Sequence, residues 1–146
     1  SALEANRGVP MTGPRDAALR AARTCYDHLA GELGVALSDA LVAGGYLELT
    51  HDAGLITDVG IALLERIGID IGSLSAGRGK PARVLCRPCL DWSERRPHIA
   101  GTLGAALCSL ALDRGWVRRM PGTRAVGVTV EGRRAFADSF GVRLEN

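Results

Sequence analysis

The string His28-Leu-Ala-Gly-Glu-Leu-Gly-Val-Ala-Leu37 aligns without a gap on His98-Ile-Ala-Gly-Thr-Leu-Gly-Ala-Ala-Leu107, and seven of the ten positions are identical. The correspondence continues through Gly45-Tyr46-Leu47 and Gly115-Trp116-Val117. It resumes, after a hairpin of slightly different length, at Thr57 and Gly60 against Thr129 and Gly132. Ala/Leu/Gly-rich helices resemble one another by composition alone. Here the punctuation is shared as well, and that points to duplication. A chain of 146 residues, 47% apolar and 23% charged, has material for one compact domain or for two very small ones sharing a core.

Periodicity supplies the elements. Ala18, Leu19, Ala22, Cys25, Tyr26 and Leu29 fall three and four apart and predict a helix over 15–31. Leu33, Ala36, Leu37, Ala40 and Leu41 predict a second over 32–43, stopped by Gly44-Gly45. Strands are expected at 46–50 and 55–56, and Thr57 is the expected cap of a helix over 59–67 that ends at Gly68. The second half reads the same way: an amphipathic helix over 98–114, Gly115, strands at 116–119 and 125–128 around Pro121-Gly122, then Thr129 and a helix reaching Phe140. The fold class is α+β, mostly helical, with two degenerate winged-helix-like repeats at 15–69 and 83–146. A Gly/Ser/Ala-rich loop at 70–82 joins them, and a lead-in at 1–14 precedes them. Small residues at Ala30, Gly31, Gly34, Ala100, Gly101 and Gly104 are expected to let the repeat helices approach closely.

Charge narrows the function. Eighteen Lys+Arg against sixteen Asp+Glu leave a net charge of only +2, which does not make a nucleic-acid binder of the whole chain. In a winged-helix unit the helix ahead of the hairpin reads base edges, a task for Arg, Asn, Gln or Ser. These helices offer Glu32, Ser38 and Asp39, then Thr102, Ser109, Asp113 and Arg114, and the carboxylates oppose phosphates. The architecture is therefore expected to serve packing. A self-sufficient DNA-binding module is the alternative, using Arg118, Arg119 and Arg124 on the second hairpin, where Glu131 and Asp138 interleave with further arginines. No apolar run approaches the roughly 20 residues of a membrane span, and no leader pattern stands at the start, so a cytoplasmic chain without a membrane partner is expected. No nucleophile elbow, phosphate loop, His-Glu-x-x-His or paired-carboxylate motif is present, so an enzyme is not expected.

The four cysteines, Cys25, Cys86, Cys89 and Cys108, are too few for a secreted disulfide framework and are expected to be free thiols. Cys25-x-Asp27-His28 and Cys89-x-Asp91, with His98 beyond, place the same residue types at the front of each repeat. Cys25, Cys86 and Cys89, with His28 or His98 as a fourth ligand, match the thiolate and imidazole preferences of zinc or another soft metal. Thiol switching and plain packing of small apolar side chains stand beside that reading. If the repeats are related by a pseudo-two-fold axis, Cys25 and Cys89 face each other across it. Trp92 with Arg95 and Arg96 is a further candidate, a flat wall with a cationic clamp for an anionic effector.

Leu19-Arg-Ala-Ala-Arg-Thr-Cys-Tyr-Asp-His-Leu-Ala-Gly-Glu-Leu-Gly-Val-Ala-Leu37 and Cys89-Leu-Asp-Trp-Ser-Glu-Arg-Arg-Pro-His-Ile-Ala-Gly101, with Gly115-Trp116 and Thr129 after them, resemble the C-terminal half of long arsenical-repressor-type (ArsR) transcription regulators. The resemblance covers roughly 15–140. It implies an effector-sensing or dimerising domain, partnered by an N-terminal winged helix-turn-helix of the same regulator, so that DNA is contacted indirectly and the assembly is a homodimer. Family members sense metals through Cys/His/Asp clusters or thiol oxidation, and the resemblance leaves the effector open. It departs from the family's pattern in that the N-terminal winged helix is not in this sequence.

Overall fold

Both halves run through the same order of elements: a hairpin, a long helix, a second hairpin and a closing helix. The computed structural model describes residues 14–75 and 85–144. The first half holds α1 (Pro14–Ala21), β1 (Arg23–Cys25), β2 (His28–Ala30), α2 (Gly31–Ala43), β3 (Leu47–Leu49), β4 (Gly54–Ile56), α3 (Asp58–Ile67) and α4 (Ile71–Ser75). The second holds β5 (Arg87–Leu90), β6 (Pro97–Ala100), α5 (Gly101–Asp113), β7 (Val117–Arg119), β8 (Val126–Val128) and α6 (Val130–Phe140). The α+β class expected from the sequence is the class observed. Of the expected lead-in and joining loop, residues 1–13 and 76–82 lie outside the described residues, while Ile71–Ser75 is helical rather than loop.

The expected helix over 15–31 breaks in the middle. α1 stops at Ala21, and 23–30 forms an antiparallel hairpin turned by Tyr26, whose φ is 56°. Likewise α5 starts at Gly101, and the three residues before it belong to β6. Gly31 and Gly101, at φ 76° and 78°, make the same abrupt change from strand to helix, a backbone state that side chains oppose.

Other junctions follow the punctuation. Thr57 accepts the Gly60 amide at 3.1 Å and donates its hydroxyl to the Gly45 carbonyl at 2.6 Å. Thr129 does the same with Gly132 at 2.9 Å and Gly115 at 2.6 Å. Each threonine thus caps a helix and ties it to the end of the preceding one. Gly68 and Gly141 close α3 and α6 in the left-handed conformation.

The halves are interlocked. α2 lies against β6 of the other half, and α5 lies against β2. Gly34 and Gly104 are the points of closest approach: a β-carbon at Gly34 would sit 3.3 Å from His98 Cβ, and one at Gly104 would sit 3.1 Å from His28 Cβ. The small residues are expected to bring the two repeat helices together; at these two glycines each helix instead approaches a strand of the other half. The Thr24 amide donates to the Arg124 carbonyl at 2.9 Å and the Val126 amide to the Ala22 carbonyl at 3.0 Å, joining the first hairpin to the second half's wing, the hairpin β7–β8 that corresponds to β3–β4 in the first half. Reciprocally, Cys86 lies over Gly54 of the first wing. These exchanges are those of an approximate two-fold relation, around one apolar core in which Leu33, Leu37 and Leu41 join Leu103, Leu107 and Ala111.

Candidate metal centre

Hairpin register brings the chemistry together. Cys25 pairs with His28 across β1 and β2, and Cys89 pairs with His98 across β5 and β6. The seam between the halves then sets the two hairpins side by side. The ligating atoms of Cys25, His28, Cys89 and His98 all lie within 4.8 Å of one another. The two imidazoles, 4% and 1% exposed, approach with Nε2 to Nε2 at 3.0 Å and ring planes tilted by 44°. Both cysteines are half-buried free thiols.

Asp91 orders the second half of this cluster. Its Oδ2 accepts the His98 Nδ1–H at 2.9 Å and the Gly31 amide at 2.6 Å. Its Oδ1 accepts the Arg23 guanidinium at 3.0 Å, the Ser93 hydroxyl at 2.7 Å and the amides of Ser93 and Glu94. Burial alone pushes this carboxyl up, but the Ser93 and Gly31 hydrogen bonds and the Arg23 charge outweigh it and hold Asp91 well below the usual carboxylate range. Burial pushes His98 the other way, towards the neutral ring, against the pull of Asp91. A neutral His98 donating Nδ1–H to a carboxylate presents a bare Nε2 lone pair. On the other side His28 Nδ1 lies 3.4 Å from Asp27 Oδ1.

If Asp27 also receives an N–H, the two Nε2 atoms face each other as acceptors at 3.0 Å. That arrangement asks for a cation between them, either a proton or a metal ion. Burial, together with the neighbouring Cys25, raises the Cys89 thiol above its ordinary range. The cluster can therefore share a hydrogen bond between the rings or hold a metal on two sulfurs and two nitrogens.

The remaining sequence candidates lie elsewhere. Cys86 is 4% exposed in the apolar core, where burial pushes its thiol to about 11; it is not one of the four, which include both histidines where one was expected beside three cysteines. Cys108 is likewise a core residue on α5. Trp92 is half exposed with the Arg23 guanidinium 4.4 Å over its ring. Arg95, at φ 58°, is exposed, and Arg96 is engaged by Asp39 through two 2.9 Å contacts. Arg118, Arg119 and Arg124 are exposed on and beside the second wing.

Sequence reasoning missed Arg23, which is 1% exposed and ties Asp91 to the Leu19 carbonyl. A signal was there: Arg23-x-Cys25-x-Asp27 recurs as Arg87-x-Cys89-x-Asp91, so arginine belongs to the repeated unit.

No family model matches the chain, and no solved structure does. Over 126 residues, 86% of this chain, it is 40% identical to an uncharacterized HTH-type transcriptional regulator of Bacillus subtilis (strain 168), YdfF. The chain spans 54%, about half, of the length of that relative. No helix among the described residues is long and apolar enough to cross a membrane.

Proposed function

We propose that the chain is the effector-responsive half of a transcription regulator of the ArsR type, working as a homodimer in the cytoplasm while a separate winged helix reads the operator. The observation that carries this reading is the burial of α2 and α5. In a DNA-reading winged helix these would lie in the major groove. Here they form the core: Leu33, Leu37 and Leu41 of α2, and Leu103, Leu107 and Ala111 of α5, are at most 4% exposed. What these helices leave open offers few groups for base edges: Glu32, Val42 and Ala43 are exposed on α2, and Ser109 and Asp113 on α5. Two further facts support the reading: the relative is named as an HTH-type transcriptional regulator, and this chain corresponds to about half of it. The cluster between the hairpins, with a Cys and a His from each half, is where a signal would alter how the halves meet.

A mobility-shift assay with the isolated chain and duplex DNA tests this. No binding at low-micromolar protein is expected. Salt-sensitive binding lost on replacing Arg118, Arg119 and Arg124 by Ala would overturn it in favour of a self-sufficient DNA-binding module. Sedimentation measures the dimer.

A further inference from the structure

We propose that Cys25, His28, Cys89 and His98 bind one four-coordinate thiophilic divalent ion, zinc by preference, in a closed centre that clamps the two repeats together. This rests on the regulatory reading above only in naming what the seam responds to; the site itself stands on geometry.

Four observations converge on it. The donor set is two thiols and two imidazoles, which selects zinc-like ions over magnesium or calcium. The spacing fits: tetrahedral zinc with Zn–N near 2.05 Å puts two nitrogens about 3.3 Å apart, and with Zn–S near 2.3 Å two sulfurs about 3.8 Å apart. The imidazole nitrogens stand at 3.0 Å, and the widest donor pair is within 4.8 Å, so closing the shell takes about an ångström of side-chain rotation.

The outer shell is of the kind that metal-bound histidines use. Asp91 holds Nδ1 of His98, and Asp27 lies beside Nδ1 of His28, which leaves both Nε2 atoms for the ion. Finally, there is a way in. A hollow of about 450 Å³, lined by Tyr26, Asp27, His28, Arg87, Ala100 and Gly101, opens beside His28.

All four ligands come from the protein, and that makes the centre structural or sensory, not catalytic, since catalytic zinc keeps a position for water. Each half supplies one Cys and one His on adjacent strands. The ion therefore bridges the halves, and its loss removes one of the links across the seam, beside those from Arg23 and Gly31 to Asp91.

The test uses the chain as purified, under reducing conditions, with the metal alone as probe. Cobalt(II) is expected to saturate at one ion per chain, with the intense visible bands of a tetrahedral ion and thiolate-to-cobalt charge transfer, and zinc is expected to displace it. Native mass spectrometry is expected to show one bound zinc. Cys25→Ser and Cys89→Ser are each expected to weaken binding at least 100-fold, whereas Cys86→Ser leaves it unchanged. Weak six-coordinate cobalt bands, no stoichiometric zinc at low-micromolar metal, or full binding by the Cys25→Ser/Cys89→Ser double variant would each overturn the site. If those variants do not fold, the cobalt spectrum of the unaltered chain still decides. The spectrum involves no DNA. Tetrahedral cobalt in a chain that itself binds DNA would uphold the site and remove the regulatory reading.

Discussion

The two hairpins that meet at the seam carry the same Cys, Asp and His, yet they use them differently. In the first, Cys25 and His28 are joined by the two-residue turn Tyr26-Asp27, and the Asp27 side chain is 72% exposed. In the second, six more residues separate aspartate from histidine, and the longer loop folds over its carboxylate until Asp91 is 0% exposed. The acceptor that loosely flanks one ring has, in the other half, become the organising anion of the region, gathering Arg23, Gly31 and Ser93 around it. The two halves share one order of elements, and the longer loop of the second is what encloses its aspartate.

The largest effect that tests this contrast is expected from Asp91→Ala. It strands the buried Arg23 charge and should cost about 3–5 kcal/mol, read as a lowered urea midpoint. A loss under 1 kcal/mol would mean that the hub is ornamental. Next comes the reciprocal glycine pair. Gly104→Val forces a side chain against the Ile99 carbonyl and His28, and should cost about 1–3 kcal/mol; Gly34→Val, against the Leu29 carbonyl and His98, should match it. A large difference between the two by thermal denaturation would break the two-fold description. The threonine caps are the control for sameness: Thr57→Ala and Thr129→Ala should each cost about 1 kcal/mol, and by equal amounts. The smallest effect is expected from Asp27→Asn, below about 1 kcal/mol in the same measurement because the group is largely in water. Parity with Asp91→Ala would erase the contrast altogether.

Much of this architecture is legible from residue types. Thr57 and Thr129, Gly68, and the breaks at Gly44-Gly45 and Gly115 act locally, through caps and backbone freedom, and local physics leaves a local mark in sequence. The first hairpin of each half does not. Arg23 and Thr24 are buried on β1, and His28, Leu29 and Ala30 are all buried on β2, so neither strand shows the in-and-out alternation that marks a half-exposed sheet. Tyr26 turns β1 into β2 from a positive-φ conformation more often taken by Gly or Asn, and the Ala/Leu spacing of a helix therefore read straight through it. The cluster was half visible for a related reason. The matched Cys-x-Asp strings mark Cys25 and Cys89, but closeness in sequence also favours Cys86 and leaves His28 and His98 as alternatives, and only strand register brings both histidines in. A buried arginine is the hardest of these to foresee, because its cost is met by a partner 68 residues away.

The exchange of contacts, with α2 on β6 and α5 on β2, bears on where such a chain comes from and how it assembles. A polypeptide with one of these repeats would leave its long helix bare and hold one Cys and one His of the cluster, so it would complete itself only by pairing with an identical molecule. Fusing two copies makes that encounter intramolecular, and stability no longer depends on protein concentration. The fused arrangement also lifts the constraint of identity. Each copy is then free to drift, provided that the sum of the two still closes the cluster.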